Sequence, residues 1–220
     1  MDITKRASKT QSVAVDQSSH RVLKNTYLLL SATLFFSALT AMFSAALNLP
    51  HPGLLLTLAG YFGLLFLTTK FRNSVHGLYC VFALTGFMGY TLGPIIGAYW
   101  SMAPTVIMQA LGGTALVFFS LSAFALTTKR DFSFLGKSLF IGILVAFLAG
   151  IGAIFFEIPA LSLAVSAMFV LLMSGLILYE TNQIVQGGET NYIMATVSLF
   201  VAIFNLFTSL MHLLGFAQSE

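Results

Sequence analysis

Hydrophobic residues run through this chain in long unbroken stretches, without the apolar–polar alternation of a half-buried strand. Charge-free blocks occupy residues 25–69, 73–128, 138–156, 158–179 and 190–219. A helix that crosses a bilayer needs about 20 mainly apolar residues, so each of the two longest blocks holds two. Asn48-Leu49-Pro50-His51-Pro52-Gly53 interrupts the first as a turn, and Trp100-Ser101-Met102-Ala103-Pro104 interrupts the second. The pattern predicts seven spans, at about 26–47, 54–70, 77–99, 105–127, 135–156, 160–180 and 192–216. The runs are apolar on all faces, which suits helices and not a membrane barrel. The predicted fold is an all-α membrane protein, a seven-transmembrane-helix bundle.

Composition narrows the function. Only 8 % of the 220 residues are charged, against about 25 % in soluble domains. That argues against a soluble enzyme, a nucleic-acid binder and a disordered chain. A single cysteine, Cys80, leaves no internal disulfide and no multi-cysteine metal site. The net charge of +3 would suggest nucleic acid if the basic residues formed a patch, but their placement tells otherwise. With seven spans, one side receives the N-terminus and the loops at 71–76, 128–134 and 181–191. These segments and their flanks contain Lys5, Arg6, Lys9, Arg21, Lys24, Lys70, Arg72, Lys129, Arg130 and Lys137, which is every Lys and Arg in the chain. Basic residues near span ends stay cytoplasmic. The N-terminus is therefore expected inside and the C-terminus outside, with the lipid bilayer as the chain's principal partner and no role for nucleic acid. Residues 1–24 carry seven of the 17 charges and are expected to form a flexible cytoplasmic tail ahead of the bundle at 25–220. The first apolar run starts near Tyr27, too far from Met1 for a cleaved signal peptide.

Within the spans, a few positions stand out. Gly89, Gly93 and Gly97 are spaced by four and make a groove down span three, next to Pro94. Such a groove lets another backbone approach closely, while Pro94 removes a helix hydrogen bond. The residues read either as tight packing or as a hinge lining a path. Glu180 follows the apolar run 160–179 with no basic neighbour. It is either a wetted carboxylate at a helix end or an acid tucked among helices, the usual mark of a proton- or cation-responsive group. Span seven carries Ser198, Asn205, Ser209 and His212, spaced by seven, four and three residues and so on one face. A polar stripe on an apolar helix faces protein, which predicts a central span seven. Thr190 or Asn191 can cap that helix.

No metalloprotease, nucleophile-elbow or phosphate-loop motif is present, and no serine or histidine pairing is visible along the sequence. The four histidines, His20, His51, His76 and His212, are scattered over different levels, which disfavours haem. No cofactor, metal or catalytic activity is expected, and the sequence does not give an oligomeric state.

The stretch Gly86-Phe87-Met88-Gly89-Tyr90-Thr91-Leu92-Gly93-Pro94-Ile95, with Ala110-Leu111-Gly112-Gly113-Thr114-Ala115-Leu116-Val117-Phe118-Phe119, resembles the signature of the Bax inhibitor-1 family. Leu178-Tyr179-Glu180-Thr181 and Asn205-Leu206-Phe207 look like its further landmarks. Gly187-Gly188-Glu189-Thr190-Asn191-Tyr192 looks like its bacterial YccA-like branch. The resemblance covers nearly the whole chain and implies seven helices around a central last one. It also implies one of two activities. One is binding and modulating an FtsH-type membrane AAA protease of the bacterial inner membrane. The other is a pH-sensitive calcium or proton leak gated by two acids on the last two helices. By position, Glu180 would be the first gating acid, with Asn205 marking the second site. The second acid should lie three residues before Asn205, where this chain has Ala202. The two-acid gate is therefore incomplete.

Overall fold

The structure, a computed structural model, describes residues 2–128 and 130–218, with side chains from residue 18 onward. The side chains of Lys5, Arg6 and Lys9, and the whole of Lys129, lie outside the described residues. Seven α-helices follow one another, with no strand among the described residues: α1 (Asp2–Ala46), α2 (Leu54–Phe71), α3 (Val75–Met102), α4 (Pro104–Thr127), α5 (Leu135–Phe155), α6 (Pro159–Gln186) and α7 (Tyr192–Ala217). All seven are long and apolar enough to cross a membrane, α1 over Ser18–Ala46.

Local chemistry explains where the helices begin and end. Pro104 and Pro159 sit in the first turns of α4 and α6, where a missing N–H costs nothing. Gly187 ends α6 in the left-handed conformation at φ +76°, which glycine adopts without strain. The Asn191 carboxamide then caps α7, accepting from the backbone N–H of Ile193 at 3.0 Å and of Met194 at 3.1 Å. α6 continues six residues beyond the span end expected at 180. Its last turns are polar, and they stay helical because Asn182 and Gln183 find partners in the neighbouring loop. At the other end of the chain, α1 passes through residue 24 without a break. Ser19 is buried there, and Val22 and Leu23 pack on the core.

α7 is the central helix. In its span window 61 % of residues are buried, against 6 % in α2. It packs on α6, α4, α1 and α3, whereas α2 lies mainly on α3 and α5 on α6. Leu199, Phe200, Ala202 and Leu206 of α7 anchor the main apolar core, joined by Leu30, Leu84 and Ile177. Each fully buried aliphatic or aromatic side chain in such a core contributes packing rather than a hydrophobic drive, since lipid tails are equally apolar.

Close packing is greatest between α1 and α3. A side chain at Gly89 would collide with the Ser37 carbonyl and the Thr40 hydroxyl, and one at Gly93 with Ser44 and the Ala41 carbonyl. Gly97 is looser, with Ala45 Cβ at 3.8 Å from where its own would be. Pro94 lies inside α3, which runs on through it. Having no N–H, Pro94 frees the Tyr90 carbonyl one turn earlier. The Ser44 hydroxyl of α1 donates to that carbonyl at 3.0 Å. Ser44 thus replaces the lost helix bond with one between helices.

The loops expected on one side do meet at one end of the bundle. Asn182 of α6 donates to the Arg130 carbonyl at 2.9 Å and accepts from the Phe132 N–H at 3.0 Å. Asn191 donates to the Arg72 carbonyl at 3.0 Å and to Asn73 Oδ1 at 2.8 Å. This is the basic end. At the opposite end, Gln218 after α7 reaches Thr105 and Gln109 of α4.

Candidate functional site

Glu180 lies in the basic-end half of α6. It is half-buried, and the Ser198 hydroxyl of α7 lies near its carboxylate. Thr181 and Asn182, next along α6, are fully buried, as is Thr196 on α7. Thr196 gives its hydroxyl to the Tyr192 carbonyl at 2.7 Å. The hydroxyls of Thr26, Tyr27, Ser122 and Thr181 are enclosed without a hydrogen-bond partner among the described residues. This half of the bundle is therefore polar inside, although membrane interiors disfavour unpaired polar groups.

Glu180 meets α7 at Ser198, and no acid lies within a turn of that position; Ala202, one turn further on, is fully buried. Two carboxylates facing each other would form a cation site or share a proton. Glu180 has only a hydroxyl opposite it. Among the described residues, no three His, Cys, Asp or Glu side chains converge as metal ligands.

Glu180 and Asn205 do not form one site. Seven residues of α7, about 10 Å of helix, separate Ser198 from Asn205. Asn205 donates its amide to the Val201 carbonyl at 2.8 Å and lines a cleft toward the opposite end, together with Ser162, Thr208 and Ser209. The polar stripe predicted on span seven thus divides. Ser198 serves Glu180, while Asn205 and Ser209 serve the cleft. Gly89, Gly93, Pro94 and Gly97 lie on α3 against α1, away from both.

His212 finds a partner that the sequence did not reveal. Its Nδ1 lies 2.8 Å from the Ser166 hydroxyl of α6. A serine–imidazole pair therefore exists, contrary to the expectation of none. The Ser166 hydroxyl also reaches the Ser162 carbonyl, at 3.0 Å, and the imidazole tautomer sets which partner donates in the Ser166–His212 bond. Forty-six residues separate the two positions, and only the crossing of α6 and α7 brings them together.

In the loop beside α6, exposed Asp131 accepts the Ser133 N–H at 2.8 Å and the Ser133 hydroxyl. The Ser133 hydroxyl first, and its N–H second, hold the Asp131 carboxyl below the usual aspartate range. Gln183 of α6 donates to the same Ser133 hydroxyl at 2.9 Å.

Bundle and site together define an integral membrane protein of seven helices, built around its last helix, with one carboxylate facing that helix. The chain belongs to the Bax inhibitor-1 family: the family model described as "Inhibitor of apoptosis-promoting Bax1" matches residues 19–219. It is 56 % identical over 204 residues to "Modulator of FtsH protease YccA" of Escherichia coli K12, covering 92 % of this chain and 93 % of that protein. It is 51 % identical over 211 residues to an uncharacterized protein of Pseudomonas aeruginosa, covering 95 % of each. An uncharacterized membrane protein of Vibrio cholerae is 44 % identical over 216 residues, with 97 % of each chain covered.

Proposed function

We propose that this chain resides in the inner membrane and there binds and modulates an FtsH-type membrane protease. The observation that carries the reading is its 56 % identity, across 92 % of its length, to a protein named as a modulator of that protease. The site supports it in two ways. Ala202 lies on the α7 face that meets Glu180, so the second acid a gated leak would require is absent. The Ser166–His212 pair ties α6 to α7, and among the described residues no acid is hydrogen-bonded to the imidazole as in a catalytic triad. The protein is accordingly read as a binding protein and not an enzyme.

In this reading the basic end faces the cytoplasm, with the N-terminus, and the C-terminus lies in the periplasm. Residues 1–17, ahead of the span that begins at Ser18 and carrying Lys5, Arg6 and Lys9, are the polar cytoplasmic segment that the protease engages. Co-purification from mild detergent tests the proposal. The protease should elute with this chain, and turnover of a membrane substrate should change when the gene is deleted. No association together with unchanged turnover refutes it. Calcium or proton flux in liposomes that falls with Glu180→Gln would favour a leak instead.

A further inference from the structure

A cleft opens between α2, α5, α6 and α7 toward the end opposite the basic loops. Its volume is about 340 Å³, within the range of about 300–1,000 Å³ seen for ligand cavities. Leu58, Ile151, Ile154 and Phe169 form apolar walls, and Ser162, Asn205, Thr208 and Ser209 form a polar floor. No charged side chain lines it.

The floor retains hydrogen-bonding capacity. Asn205 uses one amide proton on Val201, which leaves its carbonyl oxygen and second N–H. Ser209 is only 7 % exposed, and its hydroxyl has no partner among the described residues. A serine within a helix ordinarily returns its proton to the carbonyl four residues back. Here that carbonyl, on Asn205, already accepts from Thr208 at 3.1 Å. The Ser209 hydroxyl is left for an occupant of the cleft.

α2 and α5 flank the cleft and are among the least enclosed helices, with 6 % and 17 % of their span windows buried. They meet through the Phe62 and Phe147 rings at 5.8 Å. We propose that the cleft binds a bilayer lipid with an uncharged, hydroxyl-bearing head, of the monoacylglycerol kind. Its acyl chain lies along the α2–α5 seam, and its hydroxyls meet Ser209 and Asn205. A phosphate head is disfavoured, because an anion there would be buried without a cationic partner.

Photolabelling tests this. The full chain is placed in nanodiscs containing a monoacylglycerol with a diazirine on its acyl chain. Crosslinks should map to residues 54–58 and 147–154. Gly150→Leu plugs the cleft, because a Cβ at 150 meets Val165 Cγ1 at 3.5 Å, an ordinary contact. It should reduce crosslinking at least tenfold, while Leu58→Trp closes the cleft from the α2 side should Gly150→Leu not fold. Ser209→Ala leaves the walls intact and should weaken labelling about three- to tenfold, the loss of one neutral hydrogen bond. Labelling that ignores all three changes, or spreads over every lipid-facing helix, overturns the site. Stronger capture of a diazirine phosphatidylglycerol than of the monoacylglycerol overturns the uncharged head.

Discussion

Ser44→Ala isolates the bond that compensates Pro94. Ser44 is 1 % exposed and donates to the Tyr90 carbonyl at 3.0 Å. Alanine removes the donor and strands a carbonyl that Pro94 cannot serve. Hydrogen bonds between membrane helices are worth about 0.6 kcal/mol on average and up to about 1.7, and an enclosed unpaired group costs about 1–3 kcal/mol. Ser44→Ala should therefore destabilise the bundle by about 1–2 kcal/mol. In a Pro94→Ala background, residue 94 regains an N–H and the Tyr90 carbonyl regains its helix partner. There the same change should cost less than about 0.5 kcal/mol, leaving a coupling of about 1 kcal/mol between the two positions. The assay is reversible unfolding by SDS in mixed micelles, followed by helical circular dichroism, for all four variants. Equal cost of Ser44→Ala in both backgrounds would refute the reasoning.

Three further outcomes follow from the same structure. Gly89→Ala and Gly93→Ala should each cost about 1–3 kcal/mol through overpacking against α1. Gly97→Ala, with Ala45 Cβ at 3.8 Å, should be neutral or stabilise by up to about 1 kcal/mol through helix propensity; the same unfolding titration separates the three. Asn182→Ala should release the loop at 130–132, and hydrogen exchange at the Phe132 amide should quicken at least tenfold. An unchanged rate would mean that other contacts hold the loop. The depressed Asp131 carboxyl makes its loop contacts favourable above the unfolded aspartate pKa, and the contribution disappears as pH falls through the lower folded value. Ser133 amide exchange followed across the acid range should show that loss, and Asp131→Asn should flatten the profile.

The spans were legible because a bilayer makes one demand of every helix, an apolar run of sufficient length. The central place of α7 was legible too, since Ser198, Asn205, Ser209 and His212 share a face that lipid would not accept. What that face meets was not. Ser198 opposes Glu180, and His212 opposes Ser166, through rotations of α6 and α7 that no spacing within one helix reveals. The polar end of α6 looked like a loop because Thr181, Asn182 and Gln183 are not apolar. The partners of Asn182 and Gln183 lie about 50 residues back, at Arg130, Phe132 and Ser133. The groove at Gly89 and Gly93 could be read from its spacing, yet its target on α1 could not. The rescue of the Tyr90 carbonyl by Ser44 had no signal beyond the proline itself.

The burial of α7 also bears on the order of manufacture. Chains begin to fold from the N-terminal side as they are synthesised. Of the seven helices, the one that holds the others together is the last to leave the ribosome. Until it arrives, α1, α4 and α6 have inward faces shaped around an absent neighbour, and Glu180 has no Ser198. Closure of the bundle therefore waits for the seventh helix.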